Sequence, residues 1–326
     1  MRSADVTRFL HSGAAAATVA VSVVCAIAVS YFCGDVVPLL GSKGLGLPSA
    51  NEWLPPGQLS LWINLLLTVL AAFVMCVLNR AFNLMRDQSV LVAMLFMLMQ
   101  MSVPSLSGQF YGGTLMAIVV LVCTFILFSS YADRGATRRI YLIFFILGLG
   151  AFTQYAYLLL MPVFLLGCVQ MRMLSGHALV AILLGCVTAP WILFGFGIVD
   201  PAAIEWPEFD GALSLSGDSA TLRMTVAVGV TALVCTVFGM ACMLRTYSYN
   251  SRGRSFNGFI YILSASSVLL CCADFTNITG YVPLLNCCAA YQCAHFFVIN
   301  RRDRSYIAIL SVVLCYVALY VWTLLP

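Results

Sequence analysis

Residues that could do chemistry are concentrated in two short segments of an otherwise apolar chain. The first covers residues 33–59 and contains Asp35, Lys43, Glu52 and Trp53. A carboxylate just beyond a membrane helix can be partly desolvated, which raises its pKa and suits a general base. Asp35 is therefore a candidate catalytic residue, and Lys43, Glu52 and Trp53 are candidate substrate-binding residues. The alternative is that Asp35 is a solvated helix end and that Glu52 and Trp53 anchor the chain at a membrane interface.

The second segment, residues 198–221, is acidic and also carries aromatic residues. Aromatic rings stack on sugar faces or cations, and carboxylates accept hydrogen bonds from hydroxyl groups. The twelve-residue ligand pattern of a calcium loop is absent. The segment is interpreted either as a solvated lid with its Trp at the level of the lipid headgroups or as a ligand-binding lid. The candidate binding residues are Glu205, Trp206 and Glu208.

Signatures of metal and cofactor binding are missing, and we expect neither a metal nor a cofactor. The chain has no P-loop, no Gly-rich dinucleotide fingerprint, no HExxH and no GxSxG motif. Its fourteen cysteines include two adjacent pairs, Cys271–Cys272 and Cys287–Cys288, with Cys293 nearby. Adjacent side chains diverge on a helix, and zinc ligands favour two intervening residues. Apolar packing is therefore the favoured role of these thiols over a metal or redox role.

The composition indicates a membrane protein. Hydrophobic residues make up 62% of the 326 residues, charged residues 9%, and the mean hydropathy is +1.01. A soluble domain could not bury that much apolar surface, whereas lipid can serve as its solvent. No polar stretch is long enough to fold alone, so residues 1–326 are predicted to form a single transmembrane domain. The net charge of +4 comes from scattered arginines and does not predict nucleic-acid binding.

Ten apolar runs define the predicted spans. They lack the alternating polarity of a transmembrane β-barrel, and backbone groups in lipid must pair internally, so the runs should be helices. The first run follows Arg2 and Arg8 and is interpreted as a retained helix, because no clear cleavage site follows it. The runs cover residues 12–32, 60–79, 89–103, 111–131, 140–171, 178–197, 222–244, 256–272, 281–299 and 305–325.

The run 140–171 decides the topology. It would form a helix of about 48 Å, which exceeds the hydrocarbon thickness of about 30 Å. Small and polar residues between Gly148 and Tyr155 interrupt it. If the run crosses twice, fourteen of the sixteen basic residues lie in gaps on one side, which the positive-inside rule assigns to the cytoplasm. The prediction is an all-α polytopic bundle of about eleven hydrophobic segments, with the N-terminus inside and the C-terminus outside.

This topology separates the charges. The inner gaps would hold fourteen basic and four acidic residues, and the outer gaps two basic and eight acidic residues. Lys43 and Arg223 are the two outer basic residues. Asp274, with Asn277 close by, is predicted to lie at the outer surface. Segments 33–59 and 198–221 become the first exterior loop and an acidic exterior loop.

Polar residues inside the spans are uncharged and are expected to bond across helices. His295 is interpreted as packed or snorkelling rather than as a proton relay. The polar set comprises Asn64, Gln100, Gln109, Thr153, Gln154, Asn257, Asn277, Asn286, Gln292 and His295.

Two stretches, Tyr141–Pro162 and Leu184–Trp191, resemble the middle of the C-type (GT-C) membrane glycosyltransferase superfamily. The shared pattern is a Gly-rich helix that breaks, a short apolar helix, and a later helix that ends near Pro190–Trp191. The chain is also similar, over roughly residues 10–200, to a Bacteroidota family of multi-pass inner-membrane proteins of unknown function. The resemblance implies a GT-C-like arrangement of the first seven helices and an inner-membrane location.

The resemblance also implies a function. The superfamily uses a polyprenyl-phosphate-linked sugar, and Asp35 matches the position of its essential acid after the first helix. Lys43 and Arg223 are the exterior basic residues that would then be candidates to hold the phosphate. A second acid is often found before the fourth helix, but here residues 103–113 contain no acid. The favoured hypothesis is therefore an accessory or lipid-binding protein of the cell envelope, with membrane lipids, a polyprenyl-phosphate carrier or a membrane protein as partners. The alternatives are an active glycosyltransferase and a transporter of a small solute or lipid.

Overall fold

The computed structural model describes residues 23–24, 44–55, 57–85, 89–204, 219–246, 250–300 and 305–324. Every regular element in these ranges is helical, which confirms the all-α class. The described residues contain ten helices of 13 or more residues, one four-residue helix (Pro104–Ser107), and three short 3₁₀ turns. The ten are α1 Gln58–Phe82, α2 Ser89–Met101, α3 Gly112–Ser129, α4 Thr137–Thr153, α5 Ala156–Gln170, α6 Gly176–Gly195, α7 Ser219–Thr246, α8 Ser251–Ala273, α9 Ile278–Ile299 and α10 Ser305–Leu324.

Six of these helices are long and apolar enough to cross a membrane, as judged by length and composition: α1, α3, α6, α7, α8 and α9. Helices α2, α5 and α10 are apolar over shorter stretches. The predicted run 12–32 lies outside the described residues except for positions 23–24, so the count of eleven segments stays a prediction.

The run 140–171 is divided into two helices. Helix α4 ends at Thr153, Gln154 is extended (φ −156°, ψ 114°), and α5 begins at Ala156. The start of α4 and the end of α5 lie at the same end of the bundle. The amide of Ala132, just before α4, donates to the carbonyl of Met171, just after α5, at 3.0 Å. The segment is therefore a hairpin, as the arginine distribution predicts.

Helix α9 is the centre of the bundle. It packs against α2, α3, α7, α8 and α10, and nearly all of its side chains are buried. It is also the least apolar of the six candidate spans, with a mean hydropathy of 1.4. A helix surrounded by other helices can carry polar groups because they find partners there rather than in lipid.

Small residues allow α4 and α6 to approach closely. Gly148 faces Ala189, and a Cβ added to Gly185 would lie 2.8 Å from the carbonyl oxygen of Tyr141 and 2.9 Å from the Cβ of Phe144. Backbone contact of this kind is the usual mode of helix association in membranes, where the lipid tails are as apolar as the side chains.

The outward faces of α1 and α6 are apolar and exposed. Trp62, Leu66 and Phe73 on α1 are 60%, 67% and 63% exposed, and Leu183 and Trp191 on α6 are 65% and 74% exposed. An apolar face of this extent is not tolerated in water by a monomeric soluble protein. It is the expected surface of a helix that faces lipid.

The described charges separate to opposite ends of the bundle. One end, here called the arginine end, is formed by the turns 130–136 and 171–175 and by the junctions after α1, α7 and α9. The hydroxyls of Tyr131 and Ser251 lie 3.4 Å apart there, and the guanidinium of Arg252 lies over the Tyr131 ring. Asp133 is the one described acid at this end, beside eight arginines: Arg80, Arg134, Arg138, Arg139, Arg172, Arg245, Arg252 and Arg254.

Tyr131 lies at the arginine end beside hydroxyl groups and arginines. The pKa of this phenol is lowered, first by its hydrogen bond with Ser251 and to a smaller extent by Arg172 and Arg252. Two opposite effects act on such a group, because burial raises a phenol pKa and nearby cations lower it.

The other end, here called the acidic end, contains Glu52, Asp200 and Asp274 with one described cation, Arg223. Backbone bonds attach the segment 44–55 to the end of α4, since the amide of Leu47 donates to the carbonyl of Phe152 at 3.1 Å. The sequence-derived separation of charges is thus present in the described part of the chain.

Candidate functional site

Asp274 is buried, which corrects the prediction that it lies at the outer surface. It does end α8 at the acidic end, but its side chain is 0% exposed. Its Oδ2 accepts hydrogen bonds from the hydroxyls of Tyr281, at 2.7 Å, and Tyr155. Its Oδ1 accepts from the Nδ2 of Asn277 at 3.0 Å. We refer to these four residues as the Asp274 cluster.

The Asp274 cluster joins two junctions between helices. Asp274 and Asn277 belong to the junction between α8 and α9, and Tyr281 follows on the first turn of α9. Tyr155 comes from the break between α4 and α5, 119 residues earlier in the chain. Burial of a carboxylate is costly unless its oxygens accept hydrogen bonds, and three donors meet that need here. These hydrogen bonds attach the junction between α4 and α5 to the start of the central helix α9.

Buried amide side chains form hydrogen bonds across the bundle in the half toward the acidic end. The Nδ2 of Asn64 donates to the carbonyls of Leu106 and Ser107 at 3.1 and 3.2 Å, and its Oδ1 accepts from Thr114 at 2.9 Å. A second link runs from Asn286 to Gln100 at 3.0 Å. The prediction that amides within the spans bond across helices is confirmed for Asn64, Gln100 and Asn286.

A cavity of about 340 Å³ lies among α5, α7, α8 and α9 in the half of the bundle toward the arginine end. Its wall is a mixture of polar and apolar groups, and most of the polar ones are uncharged. The lining residues are Gln170, Gly239, Cys242, Met243, Arg254, Asn257, Gly258, Tyr261, Ile262, Tyr291, Gln292 and His295.

The inner wall of the cavity is buried and its rim is exposed. Asn257, Gln292 and His295 are 8%, 3% and 1% exposed, whereas Met243 and Arg254 are exposed. The cavity therefore communicates with the surface at the rim between α7 and α8.

Hydrogen bonds fix part of the wall. The hydroxyl of Tyr291 donates to the Oδ1 of Asn257 at 2.8 Å, and the Nε2 of Gln292 lies 3.3 Å from the hydroxyl of Ser264. Gln170 differs, because its Oε1 is buried and has no hydrogen-bond partner among the described residues. This oxygen is inaccessible to a water-sized group, so it does not face the cavity.

Two glycines keep the cavity open. A Cβ on Gly239 would lie 3.4 Å from the ring of Tyr261 and 3.7 Å from the Cδ of Gln292, so any larger side chain would project into the cavity. A Cβ on Gly258 would overlap the Nε2 of Gln170. The space thus depends on the absence of side chains at two positions on adjacent helices.

Five of the residues singled out from the sequence lie outside the described residues: Asp35, Lys43, Glu205, Trp206 and Glu208. The remaining three, Glu52, Trp53 and Arg223, are at the acidic end and contact different parts of the chain. The Nε1 of Trp53 donates to the carbonyl of Pro48 at 3.2 Å, and its ring stacks on Phe110 with centroids 6.4 Å apart. Glu52 is exposed, and Arg223 donates to the carbonyl of Thr323 at 3.3 Å.

Only part of the cavity could be predicted from the sequence. Asn257, Gln292 and His295 belong to the polar set expected to bond across helices. Gln170 also lies within an apolar run, 140–171, but is not in that set, and Arg254 lies before the run 256–272. The cysteines Cys271, Cys287, Cys288 and Cys293 are buried among apolar side chains. Within the described residues, no group of three or more His, Cys, Asp and Glu side chains is arranged to hold a metal ion.

The fold defines the class of this chain as a multi-pass α-helical membrane protein. Comparisons with protein-family models, curated proteins and solved structures found no match to it.

Proposed function

We propose that this protein is an integral protein of the bacterial inner membrane that binds a lipid inside its helical bundle, as an accessory or lipid-binding component of the cell envelope. The observation that carries the proposal is the cavity of about 340 Å³ whose inner wall is buried and whose rim is exposed between α7 and α8.

The size and lining of the cavity support a small amphipathic ligand. Ligand sites usually enclose about 300–1,000 Å³ and combine an apolar wall with a few polar groups that fix orientation. Met243 and Ile262 supply apolar surface beside the amides of Gln170, Asn257 and Gln292. Lipid headgroups present this combination of polar and apolar parts.

The arginine distribution supports an orientation with the arginine end in the cytoplasm. Eight described arginines and one acid at that end agree with the positive-inside rule. A lipid that enters at the rim of the cavity would then come from the cytoplasmic leaflet.

Substitution of Gly239 by Phe tests lipid binding. The new ring has no space except the cavity, so we expect the occupancy of tightly bound lipid to fall by about tenfold or more. Native mass spectrometry of the purified protein measures that occupancy. Gly229→Phe on the same helix is the matched control, because Gly229 has no neighbour within 4 Å and is exposed.

The two variants must also melt at similar temperatures in the same detergent, so that lost binding is separated from lost folding. If Gly239→Phe misfolds, Met243→Trp at the exposed rim supplies a second obstruction. Equal lipid occupancy in wild type, Gly239→Phe and Met243→Trp would show that the cavity does not bind lipid.

A glycosyltransferase that uses a polyprenyl-phosphate-linked sugar is the second candidate. It is favoured by the break at Gln154, the 15-residue helix α5 and the end of α6 shortly after Pro190–Trp191, an order that resembles the GT-C pattern. Asp35, Lys43 and Arg223 would then act as base and phosphate contacts. Loss of an envelope glycan in an Asp35→Ala strain with normal expression would favour this candidate over the lipid-binding role.

A transporter is the third candidate. Asp274, at the junction before α9, is the one fully buried carboxylate in the described residues, and α9 itself contains no Asp, Glu, Lys or Arg, which counts against proton-coupled transport. Flux of a solute into proteoliposomes, absent from empty vesicles, would favour transport.

A further inference from the structure

We propose that the cavity among α5, α7, α8 and α9 selects an uncharged lipid whose polar group both donates and accepts a hydrogen bond, as the hydroxyl group of a diacylglycerol does. Asn257 would donate to that group, Gln292 would accept from it, and the hydroxyl of Tyr261 would serve in either role. The inference rests on the proposed lipid-binding function and names the ligand class of the same site.

The donor is the side-chain amide of Asn257 on α8. Asn257 lines the cavity and is 8% exposed. Its Oδ1 already accepts from the hydroxyl of Tyr291 at 2.8 Å, which fixes the orientation of the amide and leaves the Nδ2 without a partner in the described part of the chain. Unlike the Oε1 of Gln170, this Nδ2 keeps accessible surface. It therefore presents N–H groups to the cavity.

The acceptor is the side-chain amide of Gln292 on α9. Its Nε2 donates to the hydroxyl of Ser264 at 3.3 Å, and its Oε1 is left without a partner among the described residues while keeping accessible surface. Because Gln292 lines the cavity and is only 3% exposed, the accessible surface of this oxygen belongs to the cavity. An amide oxygen can accept two hydrogen bonds.

The hydroxyl of Tyr261 lies on the same side of the cavity as these amides. Tyr261 is four residues after Asn257, so the two side chains share one face of α8. A Cβ on Gly239 would lie 3.4 Å from the Tyr261 ring and 3.7 Å from the Cδ of Gln292. The empty space beside Gly239 therefore borders both polar groups, and one ligand group placed there can reach both.

The inner wall carries no charge that would neutralise an ionic headgroup. Arg254 is the one Asp, Glu, Lys or Arg among the residues that line the cavity in the described structure. It is exposed at the rim, where water screens its charge. The Nε2 of His295 is inaccessible. Transfer of a phosphate from water to a wall of neutral groups is costly, whereas a hydroxyl group exchanges its hydrogen bonds with water for bonds with the amides.

The surface beside the rim is suited to acyl chains. On α7, Met240, Met243 and Leu244 are 54%, 47% and 78% exposed, and Met243 also lines the cavity. Acyl chains would lie along this apolar face in contact with the bilayer, and the polar group would enter the cavity between α7 and α8.

The test compares three lipids that share one pair of acyl chains on glycerol. The probes are dioleoylglycerol, which has a free hydroxyl group, its 3-O-methyl ether, which accepts but does not donate, and dioleoyl phosphatidic acid, which adds a negative charge. Native mass spectrometry of the full-length protein in one detergent measures each affinity. For wild type we expect dioleoylglycerol to bind about tenfold more tightly than phosphatidic acid and roughly three- to tenfold more tightly than the methyl ether.

Substitutions in the wall test which groups discriminate. Gln292→Met keeps the size of the side chain but removes the acceptor, so the preference for dioleoylglycerol over the methyl ether should fall to about twofold or less. Ser264 keeps its bond to the carbonyl of Ile260 at 2.7 Å in this variant. Tyr261→Phe removes one hydroxyl group and should weaken dioleoylglycerol binding about threefold. If Gln292→Met does not fold, Tyr261→Phe tests the wall alone.

Arg254→Gln is the control, because Arg254 borders the cavity but is exposed at its rim. Its affinity for dioleoylglycerol should stay within about twofold of the wild-type value. A larger loss than in Gln292→Met and Tyr261→Phe would show that the rim, and not the neutral wall, selects the ligand.

Two results for the wild type would overturn the proposed ligand class: phosphatidic acid binding as tightly as dioleoylglycerol, or the methyl ether doing so. If Gly239→Phe still lost its bound lipid in that case, lipid binding would stand and only the ligand class would fail. If Gly239→Phe kept its lipid, the proposed function itself would fail.

Discussion

Replacing Asp274 by Ala is expected to lower the free energy of unfolding by about 3 kcal/mol or more. The hydroxyls of Tyr155 and Tyr281 would lose their common acceptor in a buried site, and the amide of Asn277 would lose one of its two acceptors, the other being the Tyr155 hydroxyl. Each buried donor left without an acceptor costs about 1–3 kcal/mol. The midpoint of unfolding in a titration of mild detergent with SDS measures the change.

Asp274→Asn should have an intermediate effect. The amide keeps one oxygen for Asn277 but places an NH₂ group where two phenols donate, so at least one hydroxyl must turn away. Glu52→Ala at the same end is the control, because Glu52 is exposed and such substitutions change stability by about 0.5 kcal/mol or less. A midpoint for Asp274→Ala equal to that of Glu52→Ala would show that the Asp274 cluster does not hold the bundle together.

Gly185→Ala is expected to destabilise the protein by about 1–3 kcal/mol, although Ala is the better helix former. The added Cβ would lie 2.8 Å from the carbonyl oxygen of Tyr141 and 3.1 Å from the amide nitrogen of Phe145, and backbone atoms cannot rotate away. Helices α4 and α6 would have to separate, which removes the contact that joins the hairpin to α6. The same SDS titration measures the change.

Gly195→Ala on the same helix is the matched control. No heavy atom lies within 4 Å of the Cβ position there, so the substitution should be neutral or stabilising by up to about 1 kcal/mol. The two substitutions are therefore expected to differ in their effect on the free energy of unfolding, with Gly185→Ala lowering it and Gly195→Ala leaving it unchanged or raising it. Equal and small effects would contradict the close packing of α4 against α6.

The helices themselves were predictable from the sequence because apolar runs in lipid leave the backbone no other way to pair. The run 111–131 became α3 (Gly112–Ser129), and the run 222–244 lies within α7 (Ser219–Thr246). The hairpin within 140–171 was predictable for a different reason. Only a double crossing keeps Arg172 and the later arginines on the side of Arg134, and the bond from Ala132 to Met171 shows this arrangement.

The burial of Asp274 was not predictable, because the sequence neighbours of Asp274 give no sign of it. An acid after a long apolar run is usually solvated at the membrane surface, and the residue that encloses it, Tyr155, comes from a break 119 positions earlier. The contact depends on how the hairpin packs against α9, which is a tertiary property.

The cavity was hidden for a related reason. Its volume depends on glycines at positions 239 and 258. The sequence alone does not show whether a glycine in a helix faces a cavity, a neighbouring helix or lipid. Gly185 contacts backbone, Gly229 has open space and Gly239 faces the cavity. Only the packing of α5, α7, α8 and α9 distinguishes these positions.

The sided accessibility of two introduced cysteines shows whether the arginine end and the acidic end lie on opposite sides of a membrane. Gly57 and Gly176 are exposed at the acidic and arginine ends, and neither has a heavy atom within 4 Å of its Cβ position. Spheroplasts expressing Gly57→Cys or Gly176→Cys would be treated with a membrane-impermeant maleimide before and after permeabilisation, with the parent protein as the baseline for its own cysteines. We expect Gly57→Cys to react in intact spheroplasts and Gly176→Cys to react only after permeabilisation. Reaction of both cysteines from the same side would show that the two ends are not separated by the membrane, and the reverse order would place the arginine end outside.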